Sequence, residues 1–206
     1  MRFIGDVHGK FSEYKSIIDD CEKSIQVGDF GIGFGEIEPV ESSNHRFIRG
    51  NHDSPKACAK RGDWILDGTT EGDMYFLGGA ESIDRAYRVE GATWWRDEEL
   101  SQERMMDISG QFYDGDLKPK IMVTHDIPWS VALKIFAPDY PWMYRERGSS
   151  TQQFFDSIFE YHKPDLHIFG HWHEDKDVVI DGTRFICLAE LSYIDVDLGT
   201  LEVTRP

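Results

Sequence analysis

At 206 residues the chain is long enough to bury one sizeable core, and with 40% hydrophobic and 13% aromatic residues it has the make-up of a folded globular protein rather than a disordered one. Its 38 acidic and 22 basic residues give a net charge of −16, which repels nucleic-acid backbones and anionic membranes at long range and argues against a processive nuclease. No repeat or Pro/Ser-rich linker divides it, so a single domain over residues 1–206 is expected.

The chain opens Met1-Arg2-Phe3-Ile4-Gly5-Asp6, too soon interrupted by charge for a signal peptide, so a cytoplasmic protein without a membrane segment is expected. Arg2-Phe3-Ile4 reads as a strand. Phe11, Tyr14, Ile17, Ile18 and Cys21 then recur at helical spacing. Ser24 to Val27 forms a second strand running into Gly28-Asp29, and His45 to Arg49 a third running into Gly50-Asn51-His52-Asp53. Ser54 is placed to cap a helix whose first residue is Pro55. Further along, Lys120 to Val123 leads into Thr124-His125-Asp126, and Leu166 to Phe169 into Gly170-His171-Trp172-His173, with a helix over Thr151 to Phe159 between them. Val178 to Ile180 and Thr183 to Leu188 flank Asp181-Gly182, a strong hairpin signal, and Tyr193 to Val203 supplies two more short strands. Strands alternating with helices, followed by a β-meander, imply a layered α/β protein with more than one sheet, and in such sheets ligands gather at the carboxyl ends of strands.

Five strands end in polar clusters. Asp6 and His8 stand two apart, and in extended backbone residues i and i+2 point the same way, so both can grip one cation. Asp29 offers two oxygens that can serve two metals. Asn51 adds a neutral oxygen donor beside His52, and His125, His171 and His173 complete a set of seven candidate ligands: Asp6, His8, Asp29, Asn51, His125, His171 and His173. This donor set suits manganese first, with iron, zinc or nickel as alternatives, more than calcium. Two of the seven are anionic, so two divalent cations leave the site at about +2, a charge that a phosphate dianion neutralises. Paired cations ~4 Å apart stabilise both oxygens of an in-line displacement and lower the pKa of a water from ~16 toward ~7.

The order Gly-Asp-x-His-Gly, Gly-Asp, Gly-Asn-His-Asp, Thr-His and Gly-His-x-His, spanning residues 5 to 173, resembles the calcineurin-like metallophosphoesterases. That resemblance implies a four-layer sandwich of two mixed β-sheets flanked by helices, and two divalent metal ions. One would take Asp6, His8, Asp29 and His173, the other Asp29, Asn51, His125 and His171. His52 resembles the histidine that assists the leaving group or binds a phosphoryl oxygen, and Arg49, before Gly50, matches an arginine of the phosphoprotein phosphatase branch. That branch continues its second block as Gly-Asp-x-x-Asp-Arg-Gly, whereas this chain reads Gly28-Asp29-Phe30-Gly31-Ile32-Gly33, lacking the orienting aspartate and the clamping arginine.

The expected activity is hydrolysis of a phosphomonoester or phosphodiester by a hydroxide activated between two metals, with Asp29 and His52 catalytic and Arg49, Arg85 and Asn51 touching substrate. The substrate would be a phosphorylated small molecule or nucleotide, with a Ser/Thr phosphoprotein as the alternative and nucleic acid disfavoured. A non-catalytic binding module on the same fold is a third reading, which the filled ligand positions oppose. His45, His162 and His167 fall outside the five clusters and read as structural, Cys21, Cys58 and Cys187 as small hydrophobes, and the aromatic stretch from Phe136 to Tyr144 as core or as a lid over substrate.

Overall fold

The structure, a computed structural model, describes residues 1–35, 39 and 41–205. Its first sheet has five strands, ordered β11-β10-β1-β2-β3: β1 (Arg2–Ile4), β2 (Ser24–Gln26), β3 (His45–Phe47), β10 (Tyr193–Val196) and β11 (Val203–Thr204). The second has six, ordered β4-β5-β6-β7-β9-β8: β4 (Thr69–Glu71), β5 (Met74–Leu77), β6 (Ile121–Thr124), β7 (Leu166–Phe169), β8 (Lys176–Ile180) and β9 (Thr183–Cys187). Strands β1, β2 and β3 are mutually parallel, as are β5, β6, β7 and β9, while the outer partners β10, β4 and β8 run antiparallel. Both sheets are therefore mixed, as expected.

Side-chain alternation sets the layers. Phe3, Ile25 and Ile194 of the first sheet meet Phe76, Val123, Ile168 and Ile186 of the second in a core between the sheets. Their neighbours along each strand face outward. Ile4 and Phe47 pack with Tyr14 of α1 (Phe11–Ile18) and Cys58 of α2 (Pro55–Cys58). On the far side Tyr75 and Met122 meet Ile108 and Phe112 of α3 (Gln102–Tyr113) and Ile158 of α5 (Ser150–Tyr161), while Phe169 and Phe185 meet Val131 and Ile135 of α4 (Trp129–Ile135). Helix, sheet, sheet and helix make the four layers.

Local signals hold where the chain itself supplies them. Ser54 accepts from Ala57 N with Pro55 at the first helical position, and Asp181 and Gly182 both take positive φ in the β8–β9 turn. The β4–β5 hairpin and α3, which the sequence reading leaves out, carry such signals too, Gly72 taking positive φ in the two-residue turn and Ser101 accepting from Arg104 N, but their apolar patterns are weak. Met74–Leu77 is apolar and buried throughout, which erases the alternation that marks a half-buried strand, and α3 fully buries only Ile108 and Phe112 over its length. Among the described residues no helix is long and apolar enough to cross a membrane.

His167 is buried in β7, facing the helical layer. Thr124 Oγ1 donates to the Asp126 carbonyl, so it can only accept from His167 Nε2, 2.7 Å away, and His167 Nδ1 has no partner. Burial pushes its pKa down to about 3. As pH falls below the ordinary histidine value, the unfolded chain takes up a proton that the folded ring refuses, so stability declines by about 1.4 kcal/mol per pH unit until the folded value is reached. His167→Phe should flatten this acid slope in urea unfolding between about pH 7.5 and about pH 5; an unchanged difference between the two pH values would refute the assignment.

Candidate metal centre

All seven candidate ligands sit just past the carboxyl ends of β1, β2, β3, β6 and β7. The spacing of two works differently from the extended geometry expected for it: Asp6 and His8 share one group of donors, while His171 and His173 point to different ones. His8, Asp29, His171 and His173, four of the seven, have φ of 49, 57, 68 and 53°, in the left-handed region. After β1, β2 and β7 the chain therefore reverses abruptly, turning its polar side chains back over the strand end, a conformation that histidine and aspartate tolerate better than most residues but still at a cost. The adjacent glycines leave room for the donors. A Cβ on Gly28, itself at φ 101°, would collide with the His125 ring, and one on Gly50 with Asp29 Oδ1 and His125 Nε2.

Asp53 locks two of these loops together. Its Oδ1 accepts from Gly31 N (2.7 Å) and Ile32 N (2.9 Å), and its Oδ2 from Phe30 N (3.1 Å) and Gly50 N (2.8 Å). Asp29 in turn accepts from His52 N at 2.6 Å. Ile32 and Phe30 are buried in the apolar layer beneath α1, so the second block is anchored by packing as well.

Among the described residues two sets of donors have ligand atoms lying within 4.8 Å of one another: Asp6, His8, Asp29 and His173, and Asp29, His125 and His171. Asp29 belongs to both. Asn51 joins the second set through Oδ1, 3.1 Å from His125 Nε2, while its Nδ2 donates to Ser82 Oγ at 3.1 Å. His125 Nδ1 donates to the Val27 carbonyl at 2.9 Å, which leaves Nε2 as the free donor atom, 3.2 Å from Asp29 Oδ1. His173 Nε2 lies 3.1 Å from both Asp6 Oδ2 and His8 Nε2. Oxygens and ring nitrogens face each other at the cavity floor, an arrangement that needs protons or cations between them. The donor set fits divalent metals.

The electrostatics agree. Burial opposes a charged His125, but the Asp29 carboxylate outweighs it and raises the ring to about 10; burial likewise favours neutral Asp29, yet the His125, His52 and His8 imidazoles hold it well below the usual carboxylate range. The hydrogen bond to Asp6 raises His173 above the ordinary value. Burial by contrast lowers His171, so in the protein without metals positive charge is favoured at the rings that touch Asp29 and Asp6.

The calcineurin-like phosphoesterase family matches residues 2–175. The chain belongs to that family. No curated protein matches it in sequence. Among solved structures, TT1561 of Thermus thermophilus superposes with a TM-score of 0.54 at 12% identity, over 100% of this chain and 97% of that one. The phosphopantetheinyl hydrolase of Mycobacterium tuberculosis gives 0.51 at 14% identity, over 92% and 89%. At such identities the likeness shows the shared fold.

In this calcineurin-like phosphoesterase the remaining expected site residues are scattered. His52 lines the cavity over the two donor sets and stacks on Phe34, with centroids 5.4 Å apart and planes at 27°; Trp95 closes on Phe34 in turn. Burial lowers His52 to about 4, so its ring is neutral at neutral pH in the protein alone. Arg85 lines the same cavity and ion-pairs with Glu81 at 2.7 Å. Arg49 is placed elsewhere: it is buried outside the cavity lining, and its guanidinium donates to Asp67 Oδ2 and to the carbonyls of Asp97, Glu98 and Glu99. Its donors are spent on holding a loop. Phe34 and Asp53 are the residues that sequence reasoning passes over. Asp53 carries a signal, a carboxylate closing the Gly-Asn-His-Asp block, and Phe34 only its place in a glycine-rich turn.

Asp53→Asn tests the clamp, because the introduced NH2 faces two of the four backbone N–H groups and leaves them without acceptors. At about 1–3 kcal/mol for each orphaned buried donor, urea unfolding should register a loss of roughly 2–6 kcal/mol. A loss below about 1 kcal/mol would show that the clamp is dispensable.

Proposed function

We propose that this protein hydrolyses phosphoesters of small organic molecules, holding two divalent cations through Asp6, His8, Asp29 and His173 on one side and Asp29, Asn51, His125 and His171 on the other. Family membership supports a metal-dependent phosphoester hydrolase. The observation that carries the dinuclear reading is Asp29, the one carboxylate common to both donor sets. Manganese remains the first choice among iron, zinc and nickel for this mixture of nitrogen and oxygen donors.

When bound, the cations supply positive charge that acidifies a water and neutralises phosphoryl oxygens. The chain's own groups do the rest. Asp29 is held by the His52 amide, so its two oxygens keep their orientation. His52, shielded from water by Phe34, presents a neutral ring to the cavity, and a phosphoryl dianion beside it would favour the imidazolium, which suits it to protonate a leaving oxygen.

The cavity supports a small-molecule substrate. It measures about 680 Å³ and is walled by Trp129, Tyr140, Trp142 and Trp172, with Arg147 and the ion pairs Arg85–Glu81 and Arg88–Asp84 at its edge. From the aromatic stretch expected as core or lid, Met143 is buried in the core while Trp142 is 54% exposed at the cavity wall. A pocket of this kind suits a planar organic group beside an anionic one, and the second block lacks the arginine that marks the phosphoprotein branch.

With Mn2+ present, the protein should cleave p-nitrophenyl phosphate or its bis ester, and leave a phosphopeptide and single-stranded DNA intact. Asp29→Asn should lower kcat by about 10³-fold or more, the equivalent of several kcal/mol of lost transition-state stabilisation. His52→Ala should slow alkyl phosphates far more than p-nitrophenyl ones, since only the poor leaving group needs a proton; equal losses on both would remove its acid role, and cleavage of the phosphopeptide alone would replace the small-molecule reading.

A further inference from the structure

Asn51 is the one candidate ligand whose donor atom can be exchanged for its opposite by a simple flip, because an amide presents an oxygen on one side and an NH2 on the other. Only the oxygen can bind a cation. Something must therefore hold the amide the right way round.

Ser82 and Glu98 are each 2% exposed and lie beside it, Ser82 on the loop that follows β5. Glu98 Oε1 accepts from Ser82 N at 2.8 Å, and Glu98 Oε2 lies 2.6 Å from Ser82 Oγ. A carboxylate has no proton to give, so the single hydroxyl proton of Ser82 must point at Glu98. The hydroxyl then has only lone pairs left for Asn51, 3.1 Å away, and accepts from Nδ2. Asn51 Oδ1 is thereby turned toward His125 Nε2 and the second donor set. Arg49 completes the circuit. Two residues before Asn51, it donates from Nη1 to the Glu98 carbonyl at 2.6 Å and fixes the backbone that carries Glu98.

We propose that Ser82 and Glu98 are positioning residues that set the orientation of the Asn51 amide, and so tune metal affinity at the site formed by Asn51, His125 and His171 without affecting the other. The inference rests on the reading of Asn51 as a metal ligand. It assigns the buried acid at 98, one of three consecutive acidic residues, to the metal centre rather than to the surface.

Directionality gives a sharp test. In Glu98→Gln the Ser82 amide still requires an acceptor, so the glutamine oxygen must face it and the glutamine NH2 must face Ser82 Oγ. The hydroxyl proton is then driven toward Asn51, which is forced to invert. Ser82→Ala only frees the amide. In the double variant no hydroxyl remains to transmit the inversion. Burial raises the Glu98 carboxyl above its ordinary value while both Ser82 donors oppose that rise, so the measurement is made at about pH 8.

Mn2+ alone is titrated calorimetrically into metal-free wild type, Ser82→Ala, Glu98→Gln and the double variant, each checked for an unchanged far-UV spectrum and melting point. Wild type should show two sites. Glu98→Gln should lose about 10- to 100-fold at one of them, Ser82→Ala should lose less, and the double variant should return to the Ser82→Ala value. Equal weakening of both sites, losses that add in the double variant, or affinities within about twofold of wild type would overturn the relay. A wild type that takes up only one Mn2+ would instead overturn the dinuclear reading on which the relay rests.

Discussion

The Asp53 carboxylate, buried and surrounded by the backbone N–H groups of Phe30, Gly31, Ile32 and Gly50, is the interaction on which the site depends. It ties the loop after β2 to the loop after β3, and those two loops carry Asp29, Asn51 and His52. Hydrogen bonds from neutral donors to a charged acceptor contribute about 1.5–3 kcal/mol each, enough to offset the cost of removing one carboxylate from water. Burial and the neighbouring Asp29 both push Asp53 above its ordinary pKa, while the donors from Gly50, Ile32 and Gly31 hold its charge in place. The strained left-handed backbone at Asp29 persists because this clamp and the packing of Phe30 and Ile32 leave the loop no alternative.

A second constraint is charge. Asp6 and Asp29 are both buried at the strand ends, and what faces them is mostly imidazole. Two carboxylates in so little water need positive charge close by, which protons on His125 and His173 provide without metals and divalent cations provide with them. The same requirement suits these two donor sets to divalent cations. Along the cavity walls Arg85 and Arg88 are paired with Glu81 and Asp84, so attraction of an anionic substrate against the −16 net charge would fall to bound cations.

The strands that end in polar clusters are legible because each combines a short apolar run with glycine and a ligand-type residue, and the two sheets follow from their order. Other features leave weaker traces. Met74–Leu77 has no alternation to betray it, and without β5 there is no reason to bring Ser82 or Glu98 to the site. Arg49 can be matched to a family position, yet its partners are the carbonyls of residues 97 to 99, about fifty positions away and invisible to any motif. The left-handed residues at 8, 29, 171 and 173 show why spacing alone misleads: Asp6 and His8 do meet, but through a reversal of the chain rather than along an extended strand, and His171 and His173 part into different donor sets.

The proposed dinuclear centre requires that one aspartate, Asp29, serve two cations. Anomalous diffraction from crystals grown with Mn2+ tests it most directly. Two peaks about 4 Å apart are expected on either side of the Asp29 carboxylate, one within reach of His8 and His173 and the other of His125 and His171. A single peak, or two peaks that do not share Asp29, would contradict it.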